Sequence, residues 1–165
     1  METSISSSLP AQLSVFEARP TDPDRKTDIM SPEHPQILIV EDDSLWLNLL
    51  TRHLHSAHYT THTTRKVGEA IELIESNRYA LILLDWRMPG LKGGGQDILE
   101  TVQISKHNMP IVVLSAYSIP EQKTRALQLG AKAFLDKPYD KEQWDVLKQT
   151  VSEIVVGNQV EVVIA

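Results

Sequence analysis

The stretch Leu81-Ile82-Leu83-Leu84-Asp85-Trp86-Arg87-Met88-Pro89-Gly90 decides the fold. Four consecutive branched apolar residues describe a strand buried on both faces, as in the middle of a parallel sheet. The run stops on a carboxylate, and Met88-Pro89-Gly90 turns the chain because proline cannot extend a hydrogen-bonded strand. A single Asp at a strand end ordinarily caps a helix or solvates a loop. Three other apolar runs here also end on a chemically useful residue, and that recurrence gives Asp85 its weight.

Upstream, Ile37-Leu38-Ile39-Val40 stops on Glu41-Asp42-Asp43. Asp43 or Ser44 can cap the helix that follows, in which Leu45, Leu49, Leu50 and Leu54 recur at helical spacing. Tyr59 to Thr64 is Thr-rich and suits an edge strand, and Val67 to Ser76 suits a helix with Ala70, Ile71 and Ile74 inward. Downstream, Gly93-Gly94-Gly95 opens a loop before a helix from about Gln96 to Ser105. Ile111-Val112-Val113-Leu114 is a strand ending on Ser115. Pro120 opens a helix that Gly130 terminates after Leu129. Ala133-Phe134-Leu135 runs into Asp136-Lys137-Pro138, and Asp140 with Gln143 forms a capping box for a last helix to about Val155.

Five strands alternating with five helices predict an α/β fold, a parallel sheet covered on both faces by helices. Right-handed crossovers keep the strand C-termini on one edge, where ligands of such sheets bind. That edge gathers Glu41, Asp42, Asp85, Ser115 and Lys137. Carboxylates at about 4 Å repel by about 4 kcal/mol at an effective dielectric near 20, so a cluster of three binds a cation or holds a proton. Hard oxygen ligands without imidazole or thiolate favour Mg²⁺, while a lysine and a hydroxyl can hold the other oxygens of a phosphoryl group. The expected chemistry is phosphoryl transfer to a carboxylate nucleophile.

The 165 residues suit one domain, and the formal charge of −6 argues against nucleic acid or an anionic membrane as partner. The absence of cysteine excludes disulfides and thiolate metal sites. No apolar run reaches the ~20 residues of a membrane span, and no basic-then-apolar signal opens the chain, so a cytoplasmic location is expected. Residues 1–35, rich in Ser, Thr, Pro and Asp, read as a disordered leader. Residues 36–156 form the domain, and residues 157–165 read as a strand-like tail after a Gly157-Asn158 stop, pairing with a sheet edge of the same molecule or of a homodimer partner. His53, His55, His58 and His62 are spread over a helix end and a strand, and read as a solvated face rather than a metal site.

Ile37-Leu-Ile-Val-Glu41-Asp42, Asp85-Trp-Arg-Met-Pro89, Ser115-Ala116 and Lys137-Pro138 together resemble the receiver domain of two-component response regulators, the chemotaxis-type receiver most closely. The spacings of 30 positions from Asp85 to Ser115 and 22 from Ser115 to Lys137 suit that family. The resemblance implies the flavodoxin-like (βα)5 fold with strand order 2-1-3-4-5. It implies that Asp85 accepts phosphate from a histidine kinase or phosphotransfer protein. Glu41, Asp42, Asp85 and the Arg87 carbonyl would hold Mg²⁺, and Ser115 and Lys137 would bind phosphoryl oxygens. Phe134 would be the aromatic switch that rotates inward as Ser115 moves, and Lys137–Pro138 is often cis in such domains. The chain departs from the pattern at Lys92, where Asp is frequent, at Gly94-Gly95, which lengthen the loop, and at Phe134, which lacks a hydroxyl.

The expected function is therefore a single-domain receiver, catalysing only its own phosphorylation and dephosphorylation, that signals by a phosphorylation-dependent contact with a downstream protein. A pseudo-receiver that binds its partner without phosphorylation is the alternative. A haloacid-dehalogenase-type phosphatase is disfavoured because it needs a second Asp where this chain has Arg87.

Overall fold

The computed structural model describes residues 34–89, 94–105 and 108–164, with side chains described as far as residue 158. The leader through residue 33 and Lys92 lie outside the described residues. Strands β1 (Gln36–Val40), β2 (Thr60–Thr64), β3 (Leu81–Asp85), β4 (Ile111–Ser115) and β5 (Ala133–Asp136) alternate with helices α1 (Ser44–Ser56), α2 (Val67–Ser76), α3 (Gly95–Ile104), α4 (Pro120–Gln128) and α5 (Lys141–Ile164). The sheet is parallel throughout, in the order β2-β1-β3-β4-β5. The polar strand β2 takes an edge and the apolar β3 the centre, as their compositions require.

Side chains alternate across the sheet and build two cores. Leu38, Val40, Ile82, Leu84, Val113 and Phe134 pack beneath α2, α3 and α4, meeting Ile74, Ile98, Leu99 and Ala126. Ile37, Ile39, Leu81, Leu83, Val112 and Leu114 pack beneath α1 and α5, meeting Leu50, Leu54, Leu147, Val151 and Val155. Register places Leu38 beside Ile82, Leu83 beside Val112, and Val113 beside Phe134, so every strand C-terminus reaches the same edge.

Local signals behave as their chemistry dictates. Asp43 caps α1, its carboxylate accepting the Leu45 and Trp46 N–H groups. Pro120 occupies the first turn of α4, and Gly130 follows its C-cap with φ +92°. Asp140 accepts the Gln143 N–H at 2.9 Å, while the Gln143 side chain accepts from Tyr139 N–H at 3.0 Å.

Three expectations need correction. Leu45 is 72% exposed and Leu49 also faces out, so the buried stripe of α1 is Leu50 and Leu54 with Leu47 at its margin. The segment predicted as a strand after Gly157 is helix to Ile164 and joins neither sheet edge. A helix already nucleated gains one hydrogen bond per added residue, and a mid-helix glycine costs only about 1 kcal/mol relative to alanine. Strand propensity, by contrast, is realised only against a neighbouring strand. Lys137–Pro138, where the resemblance implies a frequent cis bond, is trans, as no described peptide is cis. Among the described residues no helix is long and apolar enough to cross a membrane.

The glycines at the start of α3, Gly94 at its N-cap and Gly95 as its first residue, set how the Asp85 turn is supported. A Cβ on Gly95 would lie 2.8 Å from the Asp85 carbonyl oxygen and 3.0 Å from that of Trp86. Gly94 has φ +58°, and a Cβ there would lie 2.6 Å from the Met88 carbonyl oxygen. Backbone atoms cannot give way as a flexible side chain does. Gly95→Ala is therefore expected to push α3 off the turn and lower stability by about 1–3 kcal/mol, measured as a lower urea midpoint.

Candidate functional site

The C-terminal edge of the sheet brings together residues from separate loops. Glu41 follows β1 and is only 1% exposed, with its Oε1 accepting the Asp43 N–H at 3.2 Å. Asp42 beside it is half-buried, and its carbonyl accepts from the Arg65 guanidinium at 2.9 Å. Asp85 closes β3 and is 6% exposed, its Oδ1 accepting the Arg87 N–H at 3.2 Å. Carboxylate oxygens of Glu41, Asp42 and Asp85 all lie within 4.8 Å of one another.

Lys137 reaches this cluster from the loop after β5. Its Nζ lies 2.7 Å from Glu41 Oε2 and 3.3 Å from Asp85 Oδ2. Apart from that ion pair, no described donor satisfies Glu41 Oε2. Three carboxylates against one ammonium leave two negative charges when all are ionised. Burial, and then the charge of Asp85, push the Glu41 carboxyl up to about 7 against the opposing pull of Lys137. A small hard divalent cation fits this donor set of hard carboxylate oxygens with excess negative charge.

Ser115 ends β4, fully buried, and its hydroxyl is engaged within its own loop. It donates to the Tyr117 carbonyl at 3.0 Å and accepts the Tyr117 N–H at 3.3 Å. Backbone ties it to the lysine loop, since Lys137 N–H donates to the Ser115 carbonyl at 2.8 Å. Phe134 is buried in the core with its ring edge-on to Trp86 at 5.9 Å, so inward is its place in this structure. Arg87 is exposed and joins the site through its N–H. The histidines do not converge: His53 stacks on Trp144, His55 bonds Thr61 and His62 bonds Tyr79.

One neighbour is not among the residues that the sequence singles out. Trp46, in the first turn of α1, lies with its ring centroid 5.3 Å from Lys137 Nζ. Its signal is its place three residues after the capping Asp43, which turns it back over the strand end.

Comparison with known proteins agrees with this geometry. The family model described as the response regulator receiver domain matches residues 37–148. The cell cycle response regulator CtrA of Brucella ovis is 33% identical over 108 residues, which are 66% of this chain and 46% of CtrA. The chain thus matches about half the length of that curated relative. A receiver domain of a Francisella response regulator is 27% identical with a TM-score of 0.68, the alignment covering 76% of this chain and 99% of that one. The receiver domain of a Syntrophus aciditrophicus histidine kinase is 28% identical with a TM-score of 0.65, over 74% of this chain and 91% of that one. A Pseudomonas aeruginosa histidine-kinase receiver, described with magnesium coordinated in its active site cleft, shares the fold at 24% identity and a TM-score of 0.66, over 74% of this chain and 98% of that one. The strand order, the acid cluster with its lysine, and the match over most of the chain lead to one conclusion: this chain belongs to the response regulator receiver domain family.

Proposed function

We propose that Asp85 is the phosphoryl acceptor of a His–Asp phosphorelay and that the domain signals by a phosphorylation-dependent contact with another protein. The observation that carries this reading is Lys137 Nζ held between Glu41 and Asp85 in a buried cluster of three carboxylates. An Asp85 oxygen attacks the phosphorus of a phosphohistidine on a histidine kinase or phosphotransfer protein. The P–N bond breaks as the acyl phosphate forms, and the leaving imidazole takes a proton from solvent. Glu41, Asp42 and Asp85, with the Arg87 carbonyl, would hold Mg²⁺, whose contribution when bound is to neutralise phosphoryl charge.

Lys137 moves from the carboxylates to a phosphoryl oxygen, a charge-assisted bond to the incoming dianion. Ser115 has to leave Tyr117 to bond a second oxygen, which couples phosphorylation to the β4–α4 loop and to the face of α4, β5 and α5. Output is then a population shift of that face. The cytoplasm suits this chemistry, and the acidic balance suits protein partners rather than nucleic acid.

Incubation with Mg²⁺ and acetyl phosphate tests the reading by intact mass. One labile phosphoryl group per chain is expected, lost in alkaline hydroxylamine as acyl phosphates are. A pseudo-receiver acquires none, and a phosphatase turns over general phosphoesters without retaining phosphate.

A further inference from the structure

We propose that Trp46 is a positioning residue for Lys137, and that its ring aims the ammonium at the phosphoryl acceptor. This role rests on the reading of Asp85 as acceptor. A closed circuit of contacts supports it. Glu41 Oε1 accepts the Asp43 N–H, Asp43 Oδ1 accepts the Trp46 N–H at 3.2 Å, the Trp46 ring faces Lys137, and Lys137 returns to Glu41 Oε2. The loop of acids and the loop of the lysine are thereby joined through one aromatic side chain.

Lys137 needs such a wall. Its side chain is 6% exposed, and its ammonium pairs with two carboxylates, Glu41 at 2.7 Å and Asp85 at 3.3 Å. The electron-rich face of an indole attracts the ammonium most strongly where water is excluded. Without it, a four-carbon stem has several rotamers that carry the charge out to solvent. Trp46 is itself braced. Trp144 of α5 lies 6.3 Å away, tilted by 33°, and His53 stacks on Trp144 at 3.7 Å. Both tryptophans are only half-buried, so the brace runs along the α1–α5 seam rather than through the core.

Substitutions at Trp46 in the full chain test this with two readouts. Trp46→Leu and Trp46→Met keep apolar bulk without a π face, whereas Trp46→Phe keeps a smaller one. Phosphoryl uptake from acetyl phosphate is expected to slow about tenfold in the first two and no more than about threefold in Trp46→Phe. In a Lys137→Met background, Trp46→Leu should add no further slowing. Acylation of Lys137 by an amine reagent, read by peptide mass spectrometry, should rise severalfold in Trp46→Leu and Trp46→Met but not in Trp46→Phe. Unchanged acylation across the series, or equal slowing with and without Lys137, overturns the proposal. If the parent chain takes up no phosphoryl group, the acceptor reading fails, and the acylation ratios alone decide whether Trp46 positions the lysine.

Discussion

Asp85→Asn is expected to take up no phosphoryl group from acetyl phosphate, and to melt at a higher temperature than the parent chain at neutral pH without divalent cations. The first half follows from nucleophilicity, since a neutral amide oxygen does not form the acyl phosphate. The second half follows from the charges around position 85. At an effective dielectric near 20, each like charge within 4.8 Å costs about 3–4 kcal/mol, and two surround Asp85. The attraction of Lys137 at 3.3 Å returns about 5 kcal/mol on the same scale. With Glu41 fully ionised repulsion wins by roughly 2 kcal/mol, and by less near pH 7, where the Glu41 carboxyl, raised to about 7, still holds part of its proton. Asn keeps an oxygen for the Arg87 N–H, so the turn is preserved. Lys137 then pairs with Glu41 alone. Thermal unfolding of both chains at pH 7.5 checks this, and a lower midpoint for the variant would sink the picture of an acid cluster held under electrostatic strain.

Much of this site is legible in the amino-acid sequence because a parallel sheet converts strand ends into neighbours. Apolar runs ending at Val40, Leu84, Leu114 and Leu135 locate four loops, and right-handed crossovers put them on one rim. Caps are equally readable, because Asp43, Pro120, Gly130 and Asp140 act on backbone groups within a few residues of themselves. Side-chain direction is harder. At 100° per residue Leu45 and Leu49 lie on the side of α1 nearly opposite Leu50 and Leu54, so the four leucines cannot share one face, and it is Leu45 and Leu49 that face out. The proximity of Trp46 to Lys137 depends on how α1 is seated against the loop after β5, which periodicity does not encode. The position of Ser115 at a strand end is plain from the sequence, yet whether its hydroxyl meets Asp85 or Tyr117 is a choice of rotamer among competing acceptors. The tail misleads because valine-rich sequence suits a strand only where a partner strand exists, while α5 is already a helix that can continue.

Stability of the metal-free parent chain is expected to fall relative to Glu41→Gln as pH rises from 5 to 8, by on the order of 3 kcal/mol. The sign comes from where Glu41 holds its proton. Burial and the charge of Asp85 raise its carboxyl from 4.5 to about 7 in the folded chain, against the weaker pull of Lys137 and the Asp43 N–H. Below 4.5 the group is protonated in both states and its contribution to stability is complete. Above that, the unfolded chain ionises first, so stability drains away until the folded carboxyl ionises near 7. Glutamine does not titrate and leaves a flatter profile in the same window. Comparing the two chains by urea unfolding at pH 5, 6, 7 and 8 isolates this one group, whereas the absolute stabilities also reflect the lysine turning wholly toward Asp85. Mg²⁺ makes the same proton visible from the other side. Binding the cation displaces it, so the parent's apparent Mg²⁺ affinity should fall by up to about tenfold per pH unit below 7, while Glu41→Gln binds more weakly at pH 8 with less dependence on pH. Parallel stability profiles for the two chains would mean that Glu41 is ionised throughout, and that Lys137 compensates the cluster more fully than its burial suggests.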